Sequence, residues 1–572
     1  MDSVLSAGGG LSGICPGGGL LPCLPENSSE TRVMMSAKNK QEPALRNIWM
    51  LSREYDGLAG AGGVKDVARQ LAEALCRSGR KVSVVLPLYG FMDPQQLGFS
   101  LLPLSFEVDM DYVGEARREY VRVFARKERA AARSGGSLTL YLVDAARYLE
   151  KKGVYTYTAE EEAANPFQAQ GSGHYDYFAM NVLLQKAAAA LIIRLGERPD
   201  IIHCHDGHTA ILPAMVRETE GYRHYFARSG CVVTIHNAGI GYHQEVGDLP
   251  FAKAITGLPA KLIDNNLLDG KFDPFLVSSP YAAMNAVSEN YARELRESDD
   301  DALTGWLGHR LLARGVTLRG VTNGINPADF DPTRPKALGL AAAFSPATGD
   351  LAGKRKCRQS LLADLARQKY TTVRQIGSLE EAPELPLFTF VGRFSSQKGV
   401  DKLLGALETL LPLDQNFQTL IQGTGSKEIE EALTSLAGSP RNKGRICLLR
   451  GYDQQLATRI YAAGDFFLIP SRYEPCGLTD YIAQLFGNLP IVHHVGGLVK
   501  VVDGCTGFAY KEHKSAALMG AMQKAMQTFR EQPEKIREMQ QAAVRLISES
   551  YTWDKVLSRY LGLYQEALGQ LQ

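Results

Sequence analysis

Two cations stand on one short segment, Gly392-Arg393-Phe394-Ser395-Ser396-Gln397-Lys398-Gly399, directly after the apolar run Phe388 to Val391. Arg393 and Lys398 on a single strand-to-helix loop would supply the fixed positive charge that a departing diphosphate requires in a site without a metal. A second loop, Pro470-Ser471-Arg472-Tyr473-Glu474-Pro475-Cys476-Gly477-Leu478-Thr479, follows the apolar run Phe466 to Ile469. There Cys476, Gly477, Leu478 and Thr479 can open a helix whose N–H groups face the same phosphates, and Glu474 puts a carboxylate where sugar hydroxyls would sit. Gly423, Gly425, Gly496 and Gly497 end neighbouring strands and keep that rim open.

The first half of the chain carries three further candidates. Gly60-Ala61-Gly62-Gly63-Val64-Lys65-Asp66 opens a helix, and its backbone at Gly62 and Gly63 can approach a phosphate or sugar closely. A dinucleotide fingerprint would need glycine where Lys65 stands, which removes the dehydrogenase reading. His203-Cys204-His205-Asp206-Gly207-His208 comes close to a zinc pattern, but its aspartate is displaced and no distal His, Cys or Asp cluster completes a ligand set. The expectation is therefore no metal, with polar residues at a strand's carboxyl end facing a cleft. Thr234-Ile235-His236-Asn237 ends the next strand, so adjacent parallel strands would bring Asp206 and His236 to one rim.

These residues need a framework of alternating strands and helices. Buried strands are expected at Asn47 to Leu51, Val82 to Leu86, Leu138 to Val143, Ile201 to Cys204 and Val232 to Ile235, with helices at Val67 to Ser78 and Tyr177 to Leu195. A second series runs through Phe388 to Val391, Thr419 to Gln422, Ile446 to Leu449, Phe466 to Ile469 and Ile491 to Val492. The pattern predicts two doubly wound, mostly parallel α/β domains, over residues 46–331 and 387–550, with a ligand cleft between the carboxyl ends of their sheets. Residues 332–386 read as a linker with a helix around Lys354 to Arg367, 551–572 as an amphipathic helix returning to the first domain, and 1–45 as a disordered Gly-rich extension in which Met34 or Met35 could be the start.

The balance of 63 basic against 62 acidic residues gives no global electrostatic reason to bind nucleic acid or an anionic bilayer. Nine scattered cysteines without a CxxC spacing read as a reduced, cytoplasmic chain, and no run approaches the ~18 apolar residues of a membrane span. The first basic residue is Arg32, so the opening lacks a secretory signal's charged start.

In order, GAGGVKDV, HCHDGH, TIHN, NAVSENYARE, GVTNGIN, VGRFSSQKG, GTGS, SRYEPCGLT and HHVGGL resemble the bacterial and plant starch/glycogen synthases, retaining glucosyltransferases of GT-B architecture. The resemblance runs from about Asn47 to the C-terminal helix. It implies transfer of glucose from ADP-glucose to the non-reducing end of an α-1,4-glucan, with no cofactor. Arg393 and Lys398 would stabilise the leaving ADP, Glu474 would lie near the transferred glucose, His236 would contact the donor glucose, and Asp206 would line the acceptor side. Tyr452 would stack on adenine. Alternatives are a GT-B enzyme using another donor or acceptor, and a non-catalytic glucan-binding paralogue.

The chain departs from that family at four positions. Gly60 stands where the family has lysine, Gly207 where it has tryptophan, His494 where it has arginine and Lys500 where it has aspartate. Lys65 is expected to project from a different helical face, and Lys500 to supply compensating charge to the cleft.

Overall fold

The strands that end at the chemistry-bearing loops form two separate sheets. The computed structural model describes residues 45–128 and 135–571, and these described residues cluster as a single unit. Apart from Leu45, the extension expected over residues 1–45 lies outside the described residues.

The first sheet has nine strands in the order Arg319–Gly320, Ala283–Ala286, Gly230–Ile235, Ile201–His205, Asn47–Leu51, Lys81–Pro87, Ser137–Asp144, Arg118–Glu128, Ser100–Asp109. Its inner strands are parallel and buried almost throughout, because helices cover both faces. Ser100–Asp109 and Arg118–Glu128 form an antiparallel extension that the sequence reading missed. They alternate exposed and buried residues on a one-sided edge, so they lack the continuous apolar runs that mark the central strands.

The second sheet has seven strands in the order Arg374–Leu379, Arg445–Arg450, Gln418–Gly423, Leu387–Val391, Phe466–Ile469, Leu489–His493, Phe508–Tyr510. All neighbours are parallel except Arg374–Leu379, which comes from within the segment expected as linker and pairs antiparallel with Arg445–Arg450. In the same segment Ala352–Ala366 forms a helix, held to the helices that cover the second sheet by Lys354, whose ammonium donates to the carbonyls of Ala462 and Phe486 at 3.1 and 3.0 Å.

The last helix, Trp553–Gly569, packs on the first sheet. Trp553 donates its indole N–H to Gln70 at 2.7 Å, Tyr560 donates to Asn323 at 3.3 Å, and the Tyr564 hydroxyl meets His203 Nδ1 at 2.9 Å. All three aromatic residues are buried, so the helix joins the first core through its apolar stripe and satisfies its polar tips inside it.

Candidate functional site

Between the carboxyl ends of the two sheets lies a cavity of about 880 Å³. Of the twelve residues expected to act, eleven line it: Gly62, Gly63, Asp206, His236, Arg393, Lys398, Glu474, Cys476, Gly477, Leu478 and Thr479. Tyr452 does not. It lies between the strand Arg445–Arg450 and the helix Gln454–Ala463, 58% exposed, with its hydroxyl on Gln454 Oε1 at 2.7 Å.

On the second-sheet side Glu474 is the centre. Its Oε2 accepts from Lys398 Nζ at 2.6 Å and from Ser471 Oγ at 2.9 Å. Burial pushes the carboxyl up, but the Lys398 ammonium and the Ser471 hydroxyl outweigh it and hold Glu474 below the usual carboxylate range. Arg393 reaches across the cavity and donates from Nη2 to the Tyr242 hydroxyl at 3.1 Å. The loop geometry behind these side chains needs two glycines. Gly399 has φ +67 and a Cβ there would meet Pro470 O at 1.8 Å, while Gly496 has φ +53 and a Cβ would meet Glu474 O at 2.0 Å.

On the first-sheet side Asp206 leaves its strand with φ +59, the left-handed region that aspartate tolerates. The turn aims its carboxylate at the next strand's end, where it accepts the His236 N–H at 2.7 Å and the Asn237 N–H at 3.3 Å. Burial pushes Asp206 up to about 7 despite those bonds. His236 Nε2 meets His205 Nδ1 at 2.8 Å, and the His205 ring stacks on that of His203 at 4.3 Å. Thr234 and Tyr564 hold the two nitrogens of His203. Burial keeps His203, His208 and His236 well below the usual imidazole value and lowers His205 to about 3. The histidine-rich motif is thus a stack of neutral rings behind the cavity wall, and only its members Asp206 and His208, with the neighbouring His236, reach the cavity.

Three expectations are corrected. The glycine loop does not present all its N–H groups to the cavity, because those of Ala61 and Gly62 donate to Glu54 Oε2 at 2.6 and 2.8 Å. Lys65 does not project away from the loop. Its side chain folds over Gly60, where a Cβ would meet Lys65 Cδ at 2.2 Å, and its ammonium pairs with Asp56 and Asp66 at 3.1 Å each. Lys500 does not line the cavity, since it is buried against Asp480 at 3.1 Å and donates to the carbonyls of Cys476, Gly477 and Gly497, and its charge reaches the site only through space, by favouring the ionised form of Glu474. It bolts the donor-side loop in place instead. Gly207 also has a local reason, as a Cβ there would meet His243 O at 2.1 Å, leaving no room for tryptophan.

Sequence reasoning missed Arg53 and Glu54, which follow the strand Asn47–Leu51 and line the cavity. Arg53 is buried and donates to Tyr89 at 3.0 Å, to Asn181 at 3.1 Å and to the Val154 carbonyl. Tyr155 donates its hydroxyl to Glu54 Oε1 at 2.6 Å and stacks on His208 at 4.8 Å. Their position at a strand's carboxyl end was the available signal.

Known proteins share this arrangement. Residues 47–309 match the model of the starch synthase catalytic domain, and residues 374–543 match that of the group 1 glycosyl transferases. Glycogen synthase 2 of Geobacter sulfurreducens is 30% identical over 533 residues, covering 91% of this chain and 98% of the relative. Glycogen synthase of Anaeromyxobacter sp. is 30% identical over 529 residues, with the same coverage of each. The fold resembles the catalytic domain of starch synthase IV from Arabidopsis thaliana, solved bound to ADP and acarbose, with TM-score 0.74 and 23% identity over 92% of this chain and 99% of that one. It also resembles sucrose-phosphate synthase from Thermosynechococcus elongatus, with TM-score 0.54 and 16% identity over the same shares. Two parallel-sheet domains facing one cavity, and relatives matched along nearly their whole length, identify the chain as a member of the starch and glycogen synthase family of glycosyltransferases with the GT-B fold.

Proposed function

We propose that the protein transfers glucose, with retention, from ADP-glucose to the non-reducing end of an α-1,4-glucan, using the cavity residues in the roles the family resemblance implies. The observation that carries this reading is the arrangement of Arg393, Lys398 and Glu474 at one wall of the cavity opposite Asp206 and His236. As the bond from glucose to ADP breaks and the acceptor oxygen bonds to glucose, negative charge gathers on the departing phosphate, which takes up the proton that the acceptor hydroxyl loses. Arg393 and Lys398 stand ready to receive that charge, and their positions are fixed in advance by Tyr242 and Glu474. Glu474 stays ionised beside the sugar, while Asp206 and the neutral His236 offer hydrogen bonds to hydroxyls. The exposed ring of Tyr452 is available to stack on adenine.

The test is incubation with glycogen and either ADP-glucose or UDP-glucose, following release of free nucleotide. ADP-glucose should be the better donor, and preference for UDP-glucose overturns the donor assignment. Arg393→Ala, Lys398→Ala and Glu474→Ala should each lower the rate roughly 10²–10³-fold, about 2.7–4 kcal/mol of transition-state stabilisation. Wild-type rates in these variants refute their roles. Tyr452→Ala should raise KM for ADP-glucose more than it lowers kcat, because the base is remote from the reacting bond.

A further inference from the structure

The wall of the cavity beside Tyr155 continues into a loop whose aromatic residues divide into two kinds. Tyr157 and His174 are buried, and their rings meet edge to face at 4.9 Å. Phe167 and Tyr175, from the same loop, are 97% and 94% exposed. They are the two most exposed of the large apolar side chains among the described residues, and each leaves a whole aromatic face free to meet a ligand.

The loop is held from below. Glu161 closes a capping box with Thr158 on the helix Ala159–Ala164 and also accepts the Lys152 N–H at 3.0 Å. Thr156 bridges to Gly173, the Tyr157 and Gly171 N–H groups bond within the loop, and the Tyr175 N–H donates to the Tyr157 hydroxyl at 3.0 Å. Backbone on both sides of Tyr175 is therefore fixed while its ring stands free. Thr156, Gly173 and Tyr177 all line the cavity, so Tyr175 sits at its edge.

We propose that Phe167 and Tyr175 form a lip that binds the α-glucan acceptor outside the cavity, a few glucose units before its reacting end. The proposal rests on the reading that the acceptor's end enters the cavity. A polymer that does so must leave across its rim, and pyranose rings offer C–H faces that cover an aromatic face. The stretch between the two rings suits a neutral, hydroxyl-rich ligand, and the exposed Glu160 and Glu162 just before it disfavour an anionic one. From Asn165 to Tyr175 the chain carries Asn165, Gln168, Gln170 and Ser172 with no Lys, Arg, Asp or Glu. An anionic polymer or a charged protein surface would find no counter-charge in that stretch.

The experiment measures glycogen retention in native affinity gels without donor, and KM for glycogen and for maltotriose in the transfer assay. Phe167→Ala with Tyr175→Ala should weaken retention and raise KM for glycogen about tenfold, while KM for maltotriose and for ADP-glucose stay at wild-type values. Tyr175→Trp should preserve glycogen binding. Tyr120→Ala, an exposed aromatic on the antiparallel extension of the sheet, should change nothing. Wild-type retention and KM for glycogen in the double variant overturn the lip, as does an equal loss for maltotriose. If no acceptor is glucosylated by the wild-type protein, the proposed transfer fails, and the gel still decides the lip: glycogen retained by wild type and lost in the double variant supports it, and equal retention overturns it.

Discussion

Asp206 sits in an environment far from the one its type suggests. Buried among neutral imidazoles, with the Glu54 charge nearby, it titrates near 7 although two backbone N–H groups favour its ionised form. Its folded value lies above its unfolded one, so the native state binds the extra proton, and the associated stability is present at low pH and lost as pH rises toward 7. Measured as the difference between wild type and Asp206→Asn, which cancels other groups, that stability should fall by about 1.4 kcal/mol per pH unit between pH 5 and 7. Chemical denaturation of both proteins across that range checks it, and parallel curves would show that Asp206 does not titrate there. The sequence put Asp206 and His236 on one rim because adjacent parallel strands must end together. The bond from carboxylate to the next strand's N–H depends on a left-handed turn that spacing does not reveal.

At the scale of elements, the donor-side loop shows how a substitution can be read correctly as a charge change and wrongly as to its place. Lys500 stands in a segment that closes the cavity, yet its ammonium points inward to Asp480, to three carbonyls and to the face of Tyr481 at 4.4 Å. Desolvation raises Asp480 to about 6 even against the pull of Lys500, so the carboxylate depends on the ammonium for what ionised form it keeps. Lys500→Ala should cost about 3–5 kcal/mol in unfolding free energy by leaving a buried carboxylate unpaired, and Lys500→Met with Asp480→Asn should recover much of it. Thermal or denaturant unfolding measures both, and unchanged stability in Lys500→Ala would return the lysine to the cavity. The outer hairpin Ser100–Asp109 with Arg118–Glu128, and the edge strand Arg374–Leu379, were missed for a different reason. These half-exposed strands mix polar residues among the apolar ones and so lack the apolar runs by which buried strands are recognised.

For the whole molecule, four imidazoles kept neutral by burial make the first domain sensitive to acid. His203, His205, His208 and His236 all have folded values below the ordinary one, so the unfolded chain binds more protons and stability is lost as pH falls below about 6.5. Each should contribute a slope of up to about 1.4 kcal/mol per pH unit between pH 6 and 4, and unfolding midpoints should drop steeply there. A flat profile would mean that these rings are protonated in the native state. The stack that causes this ties the last helix to the cavity wall, through Tyr564, His203 and the adjoining His205 to His236, across a sequence separation of 361 residues at its first bond. By itself the sequence determined the alternation of strands and helices, the two parallel sheets, and the loops bearing Arg393, Lys398, Glu474, Asp206 and His236, because strand ends and local spacing dictate where such loops fall. Tertiary structure alone decided which charges face the cavity. Lys65 folds over Gly60, Lys500 turns to Asp480 and Glu54 takes two N–H groups of the glycine loop, and each choice depends on desolvation and on partners distant in the chain.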